Sequence, residues 1–280
     1  MSGADTSIPV RTEAGGWRFD WLLTGWGQRI AGALPLIAVV VAWEGLARSH
    51  IMTAYLLPPL SVVLEQVWQD VISGDLFINL GLTLYRALAG FAIAAIGGVA
   101  LGIVMARSRV IRWFFDPIVS AGFPMPKIAF LPVFMLWLGL YDVSKISMIA
   151  FNAIFPVITA TIAAAEGVDF YLLWSARSLG ATPRQLLREI ILPAAMPQVL
   201  TGLQVALPIS MIVAVVTEML MGGQGLGGAM IQASRFANSP GVFAGIVEIA
   251  LAGLVLVKGI AVIRRHLLVW HQESEETTTV

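Results

Sequence analysis

Three long uncharged runs constrain this chain most strongly. Residues 87–106 and 146–165 are each 20 residues long and contain no Asp, Glu, Lys or Arg. A third uncharged run, residues 190–217, is 28 residues long. A helix needs about 20 mainly apolar residues to cross the hydrocarbon core of a bilayer. Charged residues are only 12% of the chain, too few to cover a water-soluble surface. The sequence therefore predicts an integral membrane protein in a lipid bilayer and excludes an ordinary soluble enzyme or a disordered chain.

The charge balance also excludes a nucleic-acid partner. The chain has 17 basic and 17 acidic residues, whereas nucleic-acid binding requires a basic excess.

Three further apolar segments, 30–48, 117–140 and 241–263, contain internal charges, and Pro124, Pro126 and Pro132 interrupt the second of them. The resulting prediction is an all-α membrane protein of about six transmembrane helices, with the third helix the least regular.

The distribution of basic residues predicts the orientation. If both termini are cytoplasmic, eleven basic residues fall in cytoplasmic segments and four in outer segments, while Lys127 and Lys258 lie within spans. Cytoplasmic loops of membrane proteins carry an excess of Lys and Arg. We therefore expect a multi-pass protein of the bacterial cytoplasmic (inner) membrane. Within its first outer loop, residues 60–71 are expected to form an amphipathic helix along the membrane surface.

Residues 166–193 are too charged to cross a membrane and form the predicted cytoplasmic loop. Asp169 can cap a helix that runs to about residue 178, and Gly180 can supply the left-handed residue that ends it. Thr182 and Gln185 have the spacing of a capping box for a second helix, with Pro183 in its first position. Because the residue before a proline disfavours helix, we expect this second helix to end at Leu192. The spacing thus predicts a helix–turn–helix.

Two interpretations of this loop follow from the residues themselves. It can be a connector that rests on the lipid headgroups. It can also be a docking element, because a short rigid helix with an apolar face, here Leu186, Leu187 and Ile190, fits a groove on a partner protein.

The order of residues in the loop favours docking. The run from Ser175 to Thr182, Ser-Ala-Arg-Ser-Leu-Gly-Ala-Thr, is followed by Ile-Ile-Leu-Pro ending at Pro193. This pattern resembles the EAA loop of ABC-importer permeases of the binding-protein-dependent family. Trp174 and Ser175 stand where that family has Glu and Ala. The resemblance implies a coupling helix that contacts the ATPase subunit. The residues it assigns to coupling are Ala176, Arg177, Gly180, Ala181, Thr182, Arg184, Leu187 and Pro193.

Other motifs extend the resemblance over residues 83–270. The run 123–132, Phe-Pro-Met-Pro-Lys-Ile-Ala-Phe-Leu-Pro, is similar to the branch that imports nitrate, taurine, alkanesulfonates and pyrimidine precursors. So are Leu-Trp-Leu-Gly at 136–139, Glu-Met at 218–219, Gly-Leu-Gly at 225–227 and the C-terminal Arg264, Arg265 and Trp270. The resemblance implies a type I ABC-importer permease-like bundle that moves a small solute of one of these classes.

The resemblance also implies partners, and the predicted spans divide the chain into segments. Two permease copies, expected to form a homodimer, would work with two cytoplasmic ABC ATPases and an extracytoplasmic substrate-binding protein. The expected segments are a cytoplasmic tail at 1–29, a first transmembrane helix and outer amphipathic segment at 30–82, a core permease domain at 83–265 with the coupling loop 166–193, and a cytoplasmic tail at 266–280. No Gly-x-x-x-x-Gly-Lys-[Ser/Thr] phosphate loop is present in the sequence, so we expect ATP hydrolysis on a separate polypeptide.

No catalytic cluster, metal site or cofactor is expected in this chain. The three histidines are dispersed along the sequence. The run 223–228 matches Gly-x-Gly-x-x-Gly, but a dinucleotide site needs a preceding strand, and here a membrane helix precedes it. We expect this glycine loop to be a flexible outer surface that faces a periplasmic partner.

Two carboxylates are candidates for a buried charge on the transport pathway. Glu218 lies near the outer end of its predicted span and Glu248 lies inside the last one. An ionisable residue within a membrane segment is a functional hypothesis by default. An ion-coupled secondary transporter that uses Glu248 or Glu218 is therefore the alternative to an ATP-driven importer.

Small residues recur every fourth position in the run 87–106, at Gly90, Ala94, Gly98, Gly102 and Ala106. Such a stripe allows two helix backbones to approach closely. We favour packing within the subunit over a seam between two copies.

Overall fold

The computed structural model describes residues 25–49 and 51–268, and all regular elements within these ranges are helices. The helices are α1 (Gly25–Arg48), α2 (Leu60–Ser73), α3 (Asp75–Arg107), α4 (Arg109–Gly122), α5 (Leu131–Leu138), α6 (Asp142–Glu166), α7 (Phe170–Ser178), α8 (Pro183–Gln185), α9 (Leu192–Met221), α10 (Leu226–Arg235) and α11 (Ser239–Leu267). A 3₁₀ turn, Lys127–Phe130, precedes α5, and a π-helical segment, Leu186–Ile191, joins α8 to α9.

Every predicted span coincides with a helix, but the count of six is not matched in full. Within the described residues, four helical stretches are long and apolar enough to cross a bilayer, and the bent pair α4–α5 makes a fifth. The first predicted span is helical as α1, which begins at Gly25, inside the expected N-terminal tail. Most of the two expected tails, residues 1–24 and 269–280, lies outside the described residues.

Helices α3, α6 and α9 form the centre of the bundle. Successive glycines of α3 face successive turns of α6 in the same direction, so these two helices run parallel. A methyl group on Gly90, Gly98 or Gly102 would lie only 2.5–2.8 Å from side-chain atoms of α6. The predicted stripe therefore packs within the subunit, as favoured from the sequence. Helix α9 runs antiparallel to α6, where Gly202 meets Ala160.

The third span is interrupted where its prolines predicted. Helix α4 ends at Gly122, and the segment Lys127–Leu138 leaves it at an angle of 98°. Proline lacks the N–H that an uninterrupted helix needs, so Pro124 and Pro126 occupy the non-helical link. Pro132 is accommodated in the first turn of α5, where a missing N–H costs nothing.

Helix α2 confirms the predicted amphipathic segment and packs on the bundle rather than on lipid alone. Val63 is fully buried, and the helix contacts α11 and α3. The side chains of Leu64, Trp68 and Ile72 remain exposed.

Candidate functional site

The coupling loop, residues 166–193, projects from one end of the bundle and runs from the last residue of α6 to the first turn of α9. We call the end of the bundle that carries it the loop end. The first helix of the coupling loop, α7, starts where expected, because the side chain of Asp169 accepts a hydrogen bond from the Tyr171 N–H at 2.7 Å. The helix ends at Ser178, and Gly180, with φ +87°, turns the chain away from it. The Gly180 N–H donates to the Arg177 carbonyl (2.9 Å) and the Ala181 N–H to the Ala176 carbonyl (3.0 Å). These two bonds are a Schellman motif, which satisfies the last carbonyls of the helix.

The capping box that the sequence predicts is present. The Thr182 N–H donates to Gln185 Oε1 at 2.9 Å, and the Gln185 N–H donates to Thr182 Oγ1 at 3.4 Å. Pro183 occupies the first turn. The turn between the two helices is therefore fixed by local hydrogen bonds at both of its ends.

The predicted end of the second helix at Leu192 is wrong. The chain passes from α8 through the π-helical segment directly into α9. In that segment the Leu192 N–H donates to the Leu187 carbonyl, five residues earlier. This wider turn places Pro193 in the first turn of α9, where the missing N–H leaves no lost bond. The coupling loop is thus joined to α9 by continuous helix.

The coupling loop is anchored by a few buried side chains and otherwise exposes apolar ones. Leu186 and Ile191 are 3% and 1% exposed. The exposed apolar side chains are Phe170, Tyr171, Leu172, Trp174 and Leu179. Leu179, in the turn, is 89% exposed. An exposed apolar cluster on a fixed backbone is a feature of protein interaction sites.

The residues that the resemblance assigns to coupling lie together on this one hairpin. Arg177, Gly180, Thr182, Arg184 and Pro193 are exposed. Ala176, Ala181 and Leu187 are half-buried beneath them. The aromatic side chains Phe170 and Trp174 were not among the predicted residues, because an aromatic residue in a loop gives no sign in the sequence of whether it points outward.

At the opposite end of the bundle, Glu218 of α9 is fully buried in a polar cluster. Its carboxylate accepts hydrogen bonds from Arg86 Nη1 (2.6 Å), Thr83 Oγ1 (2.9 Å) and the Gly227 N–H (3.1 Å). Arg86, itself 4% exposed, also donates through Nε to Asp142 at 2.8 Å. The buried charge of Glu218 is therefore fully paired.

This cluster also holds the glycine loop that follows α9. Arg86 Nη1 donates to the Gln224 carbonyl (2.7 Å), and the Gly225 N–H donates to Asn79 Oδ1 (2.9 Å). Lys145 Nζ donates to the Gly222 carbonyl at 2.9 Å. The residues 225–228 are buried. The prediction of a flexible surface is therefore wrong for these four residues.

The glycines of this loop serve close packing. A Cβ atom on Gly225 would collide with the Glu218 carboxylate, and one on Gly227 with the backbone of Val215. Gly225 also has φ +125°, a conformation that other residues rarely adopt. The apparent dinucleotide motif is thus explained by contact between the loop and the end of α9.

Glu248 lies in a different environment. It is 7% exposed on α11, and its Oε1 has no hydrogen-bond partner among the described residues. Its side chain faces Asp70 of α2, which accepts a hydrogen bond from Gln66. Glu218 and Glu248 therefore do not form one site. The sequence did not reveal Thr83 and Arg86 as partners of Glu218, or Lys145 as a donor to the glycine loop, because they lie on other helices.

Comparison with known proteins agrees with this architecture. Residues 98–268 match the family described as "Binding-protein-dependent transport system inner membrane component". The chain is 31% identical over 264 residues to the taurine transport system permease protein TauC of Escherichia coli, covering 92% of this chain and 94% of TauC. It is 30% identical over 248 residues to the formylaminopyrimidine transport permease protein ThiX of Halalkalibacterium halodurans, covering 88% of this chain and 98% of ThiX.

The fold is also found in a solved structure. A chain in the structure titled "Crystal structure of an amino acid ABC transporter with histidines" superposes with a TM-score of 0.58 at 20% identity, covering 71% of this chain and 97% of that one. The predicted permease-like helical bundle is thereby confirmed. The chain belongs to the family of binding-protein-dependent transport system inner membrane components and is a permease subunit of an ABC transporter.

Proposed function

We propose that this chain is the permease of an ATP-driven importer and that its coupling loop docks onto the ATPase. The observation that carries this proposal is the exposed apolar hairpin at the loop end. Its backbone is fixed by caps at Asp169, Gly180 and Thr182, and five apolar side chains of α7 and the turn after it are exposed. A rigid helix with exposed apolar groups fits a groove on a partner.

Because the helix is continuous from the coupling loop into α9, a movement of the loop can be transmitted to the other end of the bundle. Helix α9 has 30 residues, which corresponds to about 45 Å at 1.5 Å per residue. It begins at the π-helical segment of the coupling loop and ends beside the glycine loop, with Glu218 in its last turn. A displacement of the coupling loop is therefore carried along α9 to the polar cluster, as alternating access to a central site requires.

The basic residues support a cytoplasmic location for the loop end and for both termini. Among the described residues, this end carries Arg107, Arg109, Arg112, Arg177, Arg184, Arg188, Arg264 and Arg265. The opposite end carries four, Arg48, Arg86, Lys145 and Arg235, of which Arg48 and Arg86 are each paired with a carboxylate. Basic residues in excess mark the cytoplasmic side.

We assign the partners and the solute from this family membership. The complex would contain two copies of this chain as a homodimer, with residues 83–265 as the core, two ATPase subunits and an extracytoplasmic binding protein. TauC and ThiX are named for taurine and formylaminopyrimidine transport, so the solute would be a small polar molecule of the sulfonate or pyrimidine-precursor class. Nitrate is a third class open to the proposal.

Ion-coupled transport has less support. A carboxylate that exchanges a proton or sodium ion needs to be free of a permanent counter-charge. Glu218 is buried against Arg86, with further donors from Thr83 and Gly227. Glu248 has the unpartnered oxygen that such a role allows, so its replacement by Gln tests the alternative.

The proposal is tested by affinity purification of the tagged chain from its host membranes. We expect an ATPase to co-purify and to show vanadate-sensitive ATP hydrolysis. The Leu179→Asp variant, changed at the 89% exposed tip of the loop, should lose most of the ATPase. Phe236→Asp, at a 75% exposed apolar position of the opposite end, should retain it as a matched control.

Two results would contradict the proposal. One is a chain that purifies without any ATPase. The other is Leu179→Asp retaining as much ATPase as Phe236→Asp. Loss of pH-dependent uptake in a Glu248→Gln variant, with ATP hydrolysis unaffected, would favour the ion-coupled transporter instead.

A further inference from the structure

The bend in the third predicted span is a short non-helical link with exposed residues. The link between Gly122 and Lys127 turns the chain by 98°, and Phe123, Pro124 and Pro126 are exposed on it. Irregular backbone within a membrane is tolerated only where it is buried in protein or lines a water-filled cavity. The exposed face of this link is therefore directed to such a cavity or to another subunit, and not to lipid.

Lys127 is the first residue of the 3₁₀ turn at this bend and is half-buried. Its Nζ donates to the Phe123 carbonyl at 2.9 Å and lies 4.9 Å from the centroid of the Phe155 ring. An ammonium group has three protons to donate and no acceptor. Two of its protons have no acceptor in the described part of the chain.

The buried cations Arg86 and Lys145 are satisfied, in contrast to Lys127, whereas Lys258, the other cation within a predicted span, is exposed on α11. Arg86 is paired with Glu218 and Asp142, and Lys145 is bonded to the glycine loop. No carboxylate of the described residues forms an ion pair with Lys127. A charge within a membrane segment is costly and normally either paired or functional.

A cavity begins at Phe123 and Pro124, on the link that precedes Lys127, and the Lys127 side chain itself is not part of its lining. It has a volume of about 530 Å³, lies between α4 and α6, and includes Phe123, whose carbonyl accepts the bond from Lys127. Its wall includes Ser120 and Thr159, and the Thr159 hydroxyl donates to the carbonyls of Phe155 and Pro156 on its own helix. Toward the loop end it includes Asp116 and Glu166, of which Glu166 is paired with Arg112. Lys127 is therefore joined to the wall of this cavity through its bond to the Phe123 carbonyl.

We propose that Lys127 lines the solute pathway and contacts an anionic group of the transported solute. This inference rests on the proposed function as an importer and narrows its solute to the class that carries an anionic head, such as a sulfonate. A lysine is a compact point charge that binds such a group without requiring a fixed planar geometry. Phe123 and Phe155 hold the ammonium at the bend, so the charge is placed before the solute arrives.

The chain contains no cysteine, which allows a direct measurement of the local charge. A single Phe123→Cys variant is purified with its ATPase in lipid nanodiscs and treated separately with two thiol reagents. One is the sulfonate-bearing anion 2-sulfonatoethyl methanethiosulfonate, and the other is the cation 2-(trimethylammonio)ethyl methanethiosulfonate. The ratio of their rates reports the electrostatic potential at residue 123. Thr159→Cys, a change of similar size at the cavity wall, is a second reporter.

Two further variants calibrate the ratio. Thr53→Cys, exposed in the loop between α1 and α2, gives the ratio for an ordinary aqueous site. Ile96→Cys, at a 74% exposed apolar position of α3, represents a surface that faces lipid and should react with neither reagent.

We expect the anionic reagent to be favoured at Phe123→Cys relative to Thr53→Cys. Addition of Lys127→Gln should lower the ratio by about tenfold, because the charge acts on the two reagents with opposite sign. Addition of Lys127→Arg should preserve it. A ratio equal to that of Thr53→Cys while Lys127 is present would overturn the proposal, since it means that a second subunit neutralises the lysine. The proposal would also be overturned if Lys127→Gln left the ratio unchanged, or if neither Phe123→Cys nor Thr159→Cys reacted with the reagents.

Labelling requires neither ATP hydrolysis nor uptake. If no ATPase co-purifies, the proposed function is contradicted. The labelling can then be done on the chain alone, and it still tests the role of Lys127.

Discussion

Arg86 Nη1 and Glu218 Oε1 lie 2.6 Å apart in the interior of the bundle, although 132 positions separate them in the sequence. Both side chains are almost completely buried, at 5% and 0% exposure. The pair joins α3 to the last turn of α9 and, through the Gln224 carbonyl, to the glycine loop. The Arg86–Glu218 pair therefore fixes α3 and the glycine loop to the end of α9, the helix that begins at the coupling loop.

Removal of one partner from this pair should destabilise the protein strongly. Arg86→Met or Glu218→Gln leaves the other charge or its donors uncompensated, and we expect a loss of about 3–5 kcal/mol in unfolding free energy. The measurement is unfolding of the purified chain in mild detergent, followed as a double-mutant cycle that includes both changes together. The Glu44–Arg48 pair is the control, because it has the same 2.6 Å separation but side chains that are 28% and 66% exposed. Glu44→Gln should lower stability much less, and equal effects at the two pairs would contradict this account.

Gly225 should be intolerant of even a methyl group. Gly225→Ala places a Cβ against the Glu218 carboxylate at φ +125°, so steric and backbone strain add. Gly74→Ala is the matched control, because Gly74 has φ +86° but open space around its Cβ position. We expect the control to lose only about 1 kcal/mol and Gly225→Ala to lose clearly more, measured as thermal unfolding midpoints. Similar midpoints for the two variants would show that the glycine loop does not pack on Glu218.

Adjacent glycines of α3 should respond differently to the same change. Gly98→Leu would force a side chain into Val157 of α6, whereas a Cβ on Gly97 meets only one atom, of Ile154, at 3.6 Å. Overpacking of a close helix contact costs about 1–3 kcal/mol, so Gly98→Leu should lower the unfolding midpoint and Gly97→Leu should have little effect. The reverse order would place the small-residue stripe at a different interface.

The cap of the second loop helix should contribute to coupling. Thr182→Ala removes the side-chain acceptor for the Gln185 N–H, at a cost of about 1 kcal/mol to the helix start. We expect reduced stimulation of ATP hydrolysis by the binding protein, with normal insertion of the chain in the membrane. Thr182→Ser keeps the acceptor and should restore stimulation. A Thr182→Ala variant with full stimulation would show that the geometry of this turn is unimportant for coupling.

Features that depend on local hydrogen bonds were predictable from the sequence. Asp169, Gly180 and Thr182 mark the helix ends of the coupling loop because their bonding partners lie within five residues. The break in the third span was predictable for a similar reason, since proline acts on its own helix. The 98° angle of that break was not, because it depends on packing against other helices.

Features that depend on distant partners were missed or misinterpreted. The sequence identified Glu218 as a candidate but could not identify Arg86 on another helix. The glycine loop was expected to be flexible, yet its glycines permit contact with Glu218 and Val215. Pro193 was expected to end a helix, and the π-helical turn before it instead allows the helix to continue into α9.

The central claim, that the coupling loop contacts the ATPase, can be tested by site-directed photocrosslinking. The absence of native cysteine allows a benzophenone maleimide to be attached at Leu179→Cys in the loop and at Phe236→Cys at the opposite end, in membranes that contain the whole complex. Our account predicts an ATPase crosslink from position 179 and none from position 236. An ATPase crosslink from position 236 and none from position 179 would contradict it.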